Sequence, residues 1–200
     1  MKKVQHLLPC SNEAAGSGSP RLTRRTFVKL GTTAALAGML PRAVFGLSEN
    51  LSLKEKSLAF YNTHTGEKLK TVYWAEGNYV NDSLRDINYV LRDPRNNEVH
   101  DIDRRLLDLL FAIGEEIDAT QPFHVISGYR SAKSNAFLRA RSTGVAEHSL
   151  HLVGKAIDIR CPGRPLRTLQ KAALVLKGGG VGYYPKSDFI HVDIGRVRYW

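Results

Sequence analysis

From residue 57 onward the spacing of apolar positions changes several times, and each change marks an element. Ser57–Asn62 and Leu69–Trp74 are β-prone runs with Thr65-Gly66 between them, which predicts a hairpin. Leu84, Ile87 and Leu91 then recur at helical spacing behind a possible cap at Asn81 or Asp82, and Asp93-Pro94 stops that helix. Ile102, Leu106, Leu109, Ile113 and Ile117 predict a second helix opening at Asp101 or Asp103. Phe123–Ile126 reads as a short strand, and residues 132–142 as a polar helix ending near Gly144. Lys155–Ile159 is a strand. Pro165 opens a helix through Leu166, Leu169, Ala173 and Leu176, which Gly178-Gly179-Gly180 ends. Two strands follow, near 180–184 and 189–193. Hairpins and helices mix without a regular βαβ repeat. The expected class is therefore α+β, with a small antiparallel sheet packed against helices.

The first 46 residues follow a different pattern. A basic stretch ending in Arg24-Arg25-Thr26-Phe27-Val28-Lys29 precedes an apolar, small-residue run from Leu30 to Leu40, closed by Pro41-Arg42. Basic region, short apolar region and small residues near Gly46 together form an export signal. The paired arginines resemble the twin-arginine type, which places the protein in the periplasm or otherwise outside the cytoplasm. The apolar run is about half of the ~20 residues that span a bilayer, so no stable membrane insertion is expected once the leader is gone. The expected organisation is a signal over 1–46, a linker over 47–56 and one domain over 57–200.

This division changes the meaning of the charge. The chain carries a formal +10, but residues 1–46 hold seven Lys/Arg and one acid, leaving 22 basic against 18 acidic residues and a net +4. A nucleic-acid partner suggested by the whole-chain charge loses its support; a polyanionic cell wall remains compatible. Beyond the leader Cys161 stands alone, so no intrachain disulfide is available.

The chemistry concentrates in Ser149-Leu150-His151-Leu152-Val153-Gly154-Lys155-Ala156-Ile157-Asp158. His151 and Asp158 are seven apart and straddle a strand start, so they are not helix neighbours. Gly154 lets the chain turn so that His151 faces back toward Asp158. Ala156 leaves room on the same strand face. Phe189-Ile190-His191-Val192-Asp193 offers a third ligand, with His191 and Asp193 on one face of a later strand. Two histidines and one carboxylate suit one Zn²⁺ and leave a fourth position open. A nearby carboxylate would then move the proton in amide hydrolysis. His148 would close the open position as a fourth ligand, and is read as rim.

These residues resemble the M15 metallopeptidases, D,D-carboxypeptidases and D,D-endopeptidases of the hedgehog-type zinc-peptidase fold. The resemblance runs from about Leu58 to Trp200 and is closest to the twin-arginine-exported murein endopeptidases. It includes Ser127-Gly128-Tyr129-Arg130-Ser131, Arg139-Ala140-Arg141-Ser142, the stretch Gly179–Pro185 and the closing Arg198-Tyr199-Trp200. It implies that His151, Asp158 and His191 hold zinc. It also implies that Arg130 stands beside the metal, to bind the scissile carbonyl oxygen or a substrate carboxylate. Two aspartates compete for the base: Asp193, ranked first, and Asp188, three before His191. Asp193 has an alternative role in orienting a ligand. Phe189 replaces a histidine found in some relatives. The substrate expected is peptidoglycan peptide, cut as a cross-link endopeptidase or a carboxypeptidase; D,D and L,D bonds both stay open, as does the oligomeric state. The rival reading is a metal-bearing module that binds wall peptides without cutting them.

Overall fold

The computed structural model describes residues 55–142 and 144–200. The expected export signal and most of the linker lie outside these residues. Eight strands form one mixed sheet in the order β3-β2-β1-β4-β5-β7-β6-β8. The hairpin is β1 (Glu55–Asn62) and β2 (Lys68–Ala75), followed by the short β3 (Asn78–Tyr79). Helices α1 (Asn81–Val90) and α2 (Arg104–Glu116) lead to β4 (Phe123–Ser127). α3 (Ala132–Arg139) and a 3₁₀ turn (Leu150–Val153) precede β5 (Ala156–Arg160). α4 (Leu166–Leu176) is followed by β6 (Gly180–Tyr184), β7 (Phe189–Asp193) and β8 (Arg198–Tyr199).

The expected small antiparallel sheet is thus corrected in size and in sense. β1 pairs with β4, and β6 with β8, in parallel. The connections permit both: β1 reaches β4 only after the hairpin and two helices, long enough for a crossover, and β8 rejoins β6 after β7 has already returned. β3 and β8 are two residues each, too short for a period of two to reveal them.

Strand alternation separates the two faces of the sheet. Leu58, Phe60, Phe123, Val125, Ile157, Ile159, Ile190 and Val192 form one buried face. α1 packs on β2, α2 on β1, and α4 on β6 and β7. The buried stripe of α2 is Leu106, Leu107, Leu110 and Ile113, with Leu109 only partly buried. Asp103 caps α2 by accepting from Arg105 N. α1 has no side-chain cap, because Val80 stands at its N-cap in place of the expected Asn81 or Asp82. Lys177, in the left-handed region, ends α4 ahead of the three glycines. No described helix is long and apolar enough to cross a membrane.

The other face carries polar and small residues. A bulge between Val125 and Ser127 brings Ser127 opposite Asp158, and Asp158 stands opposite His191. His191 pairs with Gly182, over which the Trp200 ring lies. This row crosses four strands and positions the site.

Candidate metal centre

His151 reaches the row from above. Ser149 caps its 3₁₀ turn, and Gly154 closes it with φ 63°. A Cβ on Gly154 would overlap the Asp101 carbonyl oxygen, so both space and backbone conformation require glycine here. The ring is set by one bond: Nδ1 donates to the Gly128 carbonyl at 2.7 Å. A carbonyl only accepts, so Nδ1 carries the hydrogen and Nε2 is left as a lone-pair donor toward the sheet.

Three donor atoms converge there. His151 Nε2 lies 3.2 Å from His191 Nδ1 and 3.4 Å from Asp158 Oδ1, and His191 Nδ1 lies 2.9 Å from Asp158 Oδ1. Tetrahedral zinc with bonds of 2.0–2.2 Å separates its ligands by about 3.3–3.6 Å. The triangle therefore fits such an ion with small adjustments, and His151, Asp158 and His191 are the group among the described residues able to hold a metal. Burial pushes the Asp158 carboxyl up, but the charge and hydrogen bonds that His151 and His191 offer when their rings are protonated outweigh it and hold it well below the usual carboxylate range. Burial pulls His191 down, while Asp158 and Asp193 raise it more strongly, to about 9.

Asp193 lies behind this triangle. It is 0% exposed, and its Oδ2 accepts from His191 Nε2 at 3.1 Å and from Arg198 Nη2 at 2.7 Å. Its Oδ1 accepts from the backbone N–H of Gly180 and Gly195 at 3.0 and 2.8 Å. Burial alone would raise its pKa; these donors reverse that and hold it well below the usual range. Asp188 points elsewhere. It adopts φ 52°, pairs with Arg160 at 3.1 Å, and borders a separate cavity with His124 and Cys161.

Arg130 is 8% exposed, with Nη2 3.7 Å from Asp158 Oδ2. Nη2 donates to Ser127 Oγ at 3.2 Å and Nη1 to Asn135 Oδ1 at 3.3 Å. Nε is buried without a protein partner among the described residues. Asn135 is also buried, and its Nδ2 donates to the carbonyls of Ala146 and Glu147 at 3.1 and 3.3 Å. One amide thus couples the guanidinium to the loop over the site. Sequence reading missed Asn135; the available signal was its place four residues beyond Ser131, on the inner side of a helix that opens directly after the Arg130 motif.

Arg130, His151, Asp158 and His191 line a cavity of about 360 Å³ that also takes in His148, exposed at its edge, and an aromatic wall. In that wall Tyr184 stacks on Phe189 at 4.6 Å, and Trp200 Nε1 donates to the Tyr184 hydroxyl at 2.8 Å. Trp200 also lies 5.4 Å from the His191 ring. A Cβ on Gly182 would come within 2.8 Å of the Trp200 ring, so that glycine makes room for it.

Residues 50–200 match the family Peptidase_M15_2, described as peptidoglycan L,D-endopeptidase MepK. The chain is 39% identical over 177 residues to the peptidoglycan L,D-endopeptidase MepK of Escherichia coli K12, covering 88% of this chain and 96% of that one. A probable peptidoglycan L,D-endopeptidase MepK of Haemophilus influenzae is 39% identical over 178 residues, 88% of this chain and 95% of its own. No solved structure matches. A family match over three quarters of the chain, together with relatives aligned over nearly their whole length, shows that the chain belongs to the M15 peptidases of the type described as peptidoglycan L,D-endopeptidase MepK.

Proposed function

We propose that this chain is an exported, zinc-dependent endopeptidase that cuts L,D amide bonds in peptidoglycan peptides. One observation carries the metal part of the reading: three donor atoms of His151, Asp158 and His191 form a triangle of ligand dimensions on the floor of an open cavity. The names of the relatives support the bond type, and the leader pattern supports the location. Bound to the triangle, Zn²⁺ would supply Lewis acidity toward the scissile carbonyl and make an attacking water more acidic.

The remaining work falls to side chains. Arg130, held by Ser127 and Asn135, presents a fixed positive charge beside Asp158, where it binds the carbonyl oxygen as negative charge develops. A preset donor needs no reorganisation during the reaction, which is why its two supports matter. Asp193 acts as a positioning residue. It fixes the His191 ring so that Nδ1 faces the triangle, as carboxylates behind metal-bound histidines do. Its oxygens are committed to five donors beneath the ligand, away from any bound peptide. Asp188 is assigned to Arg160. The aromatic wall of Tyr184, Phe189 and Trp200 takes the apolar side of the peptide.

Mass spectrometry of cross-linked muropeptides incubated with zinc-loaded protein tests the reading. New termini at L,D bonds are expected, and they should disappear with a chelator and in His151→Ala or His191→Ala. Cleavage that persists in either variant, or products from D,D bonds alone, would defeat it.

A further inference from the structure

The row next to the metal row on the open sheet face has its own chemistry. Arg160 is two residues beyond Asp158 on β5, Phe189 two before His191 on β7, and Tyr184 pairs with Phe189. His124 stands opposite Arg160, and Tyr61 beside His124. Residues two apart on a strand share a face and lie about 7 Å apart. An extended peptide crosses that distance in about two residues. Here a second cavity of about 360 Å³ opens, with Arg160, Arg164, His124 and Asp188 on its walls. Ser187 and Phe189 border the metal cavity, and Asp188 between them borders this one, so the two adjoin along the chain.

The second cavity is electropositive. Arg160 and Lys68 face His124, and burial together with these two cations pushes its imidazole pKa down. His124 Nδ1 is buried without a protein partner among the described residues. Arg164 donates to the Asp118 carbonyl, which leaves its charge unneutralised. The acid on these walls is Asp188, joined to Arg160 by a single bond of 3.1 Å with both side chains exposed to solvent. Exposed pairs of this kind are worth about 0–1 kcal/mol, so an incoming carboxylate displaces Asp188 at little cost.

We propose that Arg160, supported by Arg164, is a subsite for a peptide carboxylate about two residues from the cleaved bond, and that Asp188 occupies this arginine in the free protein. The inference rests on the endopeptidase reading for its substrate class, but it concerns binding rather than the chemical step. It gives the two ion-pair partners opposite signs. Losing Arg160 weakens binding, whereas losing Asp188 frees the arginine.

The test measures affinity of zinc-loaded protein for soluble cross-linked muropeptides by calorimetry in the cold, with cleavage of the same peptides followed separately. Each peptide is used with its carboxylates free and with them amidated. Arg160→Gln is expected to weaken binding of the free-carboxylate peptide roughly ten- to a hundredfold, the size of a hydrogen bond to a charged group. Amidation should cost the wild type a similar factor and Arg160→Gln much less. Asp188→Asn should bind as tightly as the wild type or more tightly, with its turnover kept. Equal affinity in Arg160→Gln and wild type, or an equal loss on amidation in both, overturns the subsite. A collapse of turnover in Asp188→Asn with unchanged affinity overturns it too, because that aspartate would then serve the chemical step. Binding without cleavage by the wild type would strike the endopeptidase reading alone.

Discussion

Replacing Asp193 by Asn distinguishes a residue that orients a ligand from one that moves a proton. Asp193 accepts from five donors through two oxygens: Gly180 N–H and Gly195 N–H on Oδ1, His191 Nε2–H on Oδ2, and Arg198 on both. The amide keeps one oxygen. Whichever way it sits, its NH₂ faces donors: Arg198 with either the two backbone N–H groups or His191. Losing an outer partner of a metal-bound histidine typically lowers metal affinity 10–100-fold, or about 1.4–2.7 kcal/mol. The buried donors left facing an NH₂ add about 1–3 kcal/mol of lost stability; the Arg198 share is smaller because that side chain is about a third exposed. Zinc affinity is read by competition with a chromophoric chelator, stability by thermal melting, and turnover at saturating zinc. The expected result is a 10–100-fold loss of zinc affinity, a lowered melting temperature, and turnover within about tenfold of wild type once zinc is restored. A general base contributes about 10²–10⁴ to the rate. If Asp193→Asn binds zinc normally and loses turnover by that factor, Asp193 is the base and the positioning argument is wrong.

Asn135→Ala removes one of the two supports of Arg130 and the tie to the loop at Ala146 and Glu147; we expect turnover to fall at least about tenfold with one zinc still bound, and normal turnover would show that Ser127 alone holds Arg130 in place. Gly154→Ala forces a Cβ against the Asp101 carbonyl at φ 63°; a loss of at least about 1–3 kcal/mol should appear in chemical denaturation, and an unchanged midpoint would contradict the close approach. Burial pushes the Asp93 and Asp108 carboxyls up, but hydrogen bonds to Ser134 and Ser131, and to Lys56, Tyr79 and Tyr73, hold both below the usual range. The folded state therefore binds fewer protons than the unfolded one just below the ordinary value near 4. Their stabilisation is complete above that value and is lost as pH falls through the folded values, so circular dichroism should show acid unfolding that Asp108→Asn makes less steep.

The amino-acid sequence by itself determined the elements and the short-range chemistry. β6 and β7 fall where the pattern of apolar residues places them, near 180–184 and 189–193. Alternation puts His191 and Asp193 on one strand face, and the Gly154 turn brings His151 back over Asp158. Such features depend on neighbours within about ten residues, where backbone geometry leaves few options. The tertiary structure decided what crosses strands. It set Asp158 opposite His191, placed the Gly180 and Gly195 N–H groups and Arg198 around Asp193, and turned Asp188 toward Arg160. His-x-Asp and Asp-x-x-His look alike as candidate bases along the chain. They diverge because strand register, a property of pairing between distant segments, decides which donors meet each carboxylate. The eight-stranded extent of the sheet escaped the pattern for the same reason: β3 and β8 have no periodicity of their own and exist only through the partners that β2 and β6 provide.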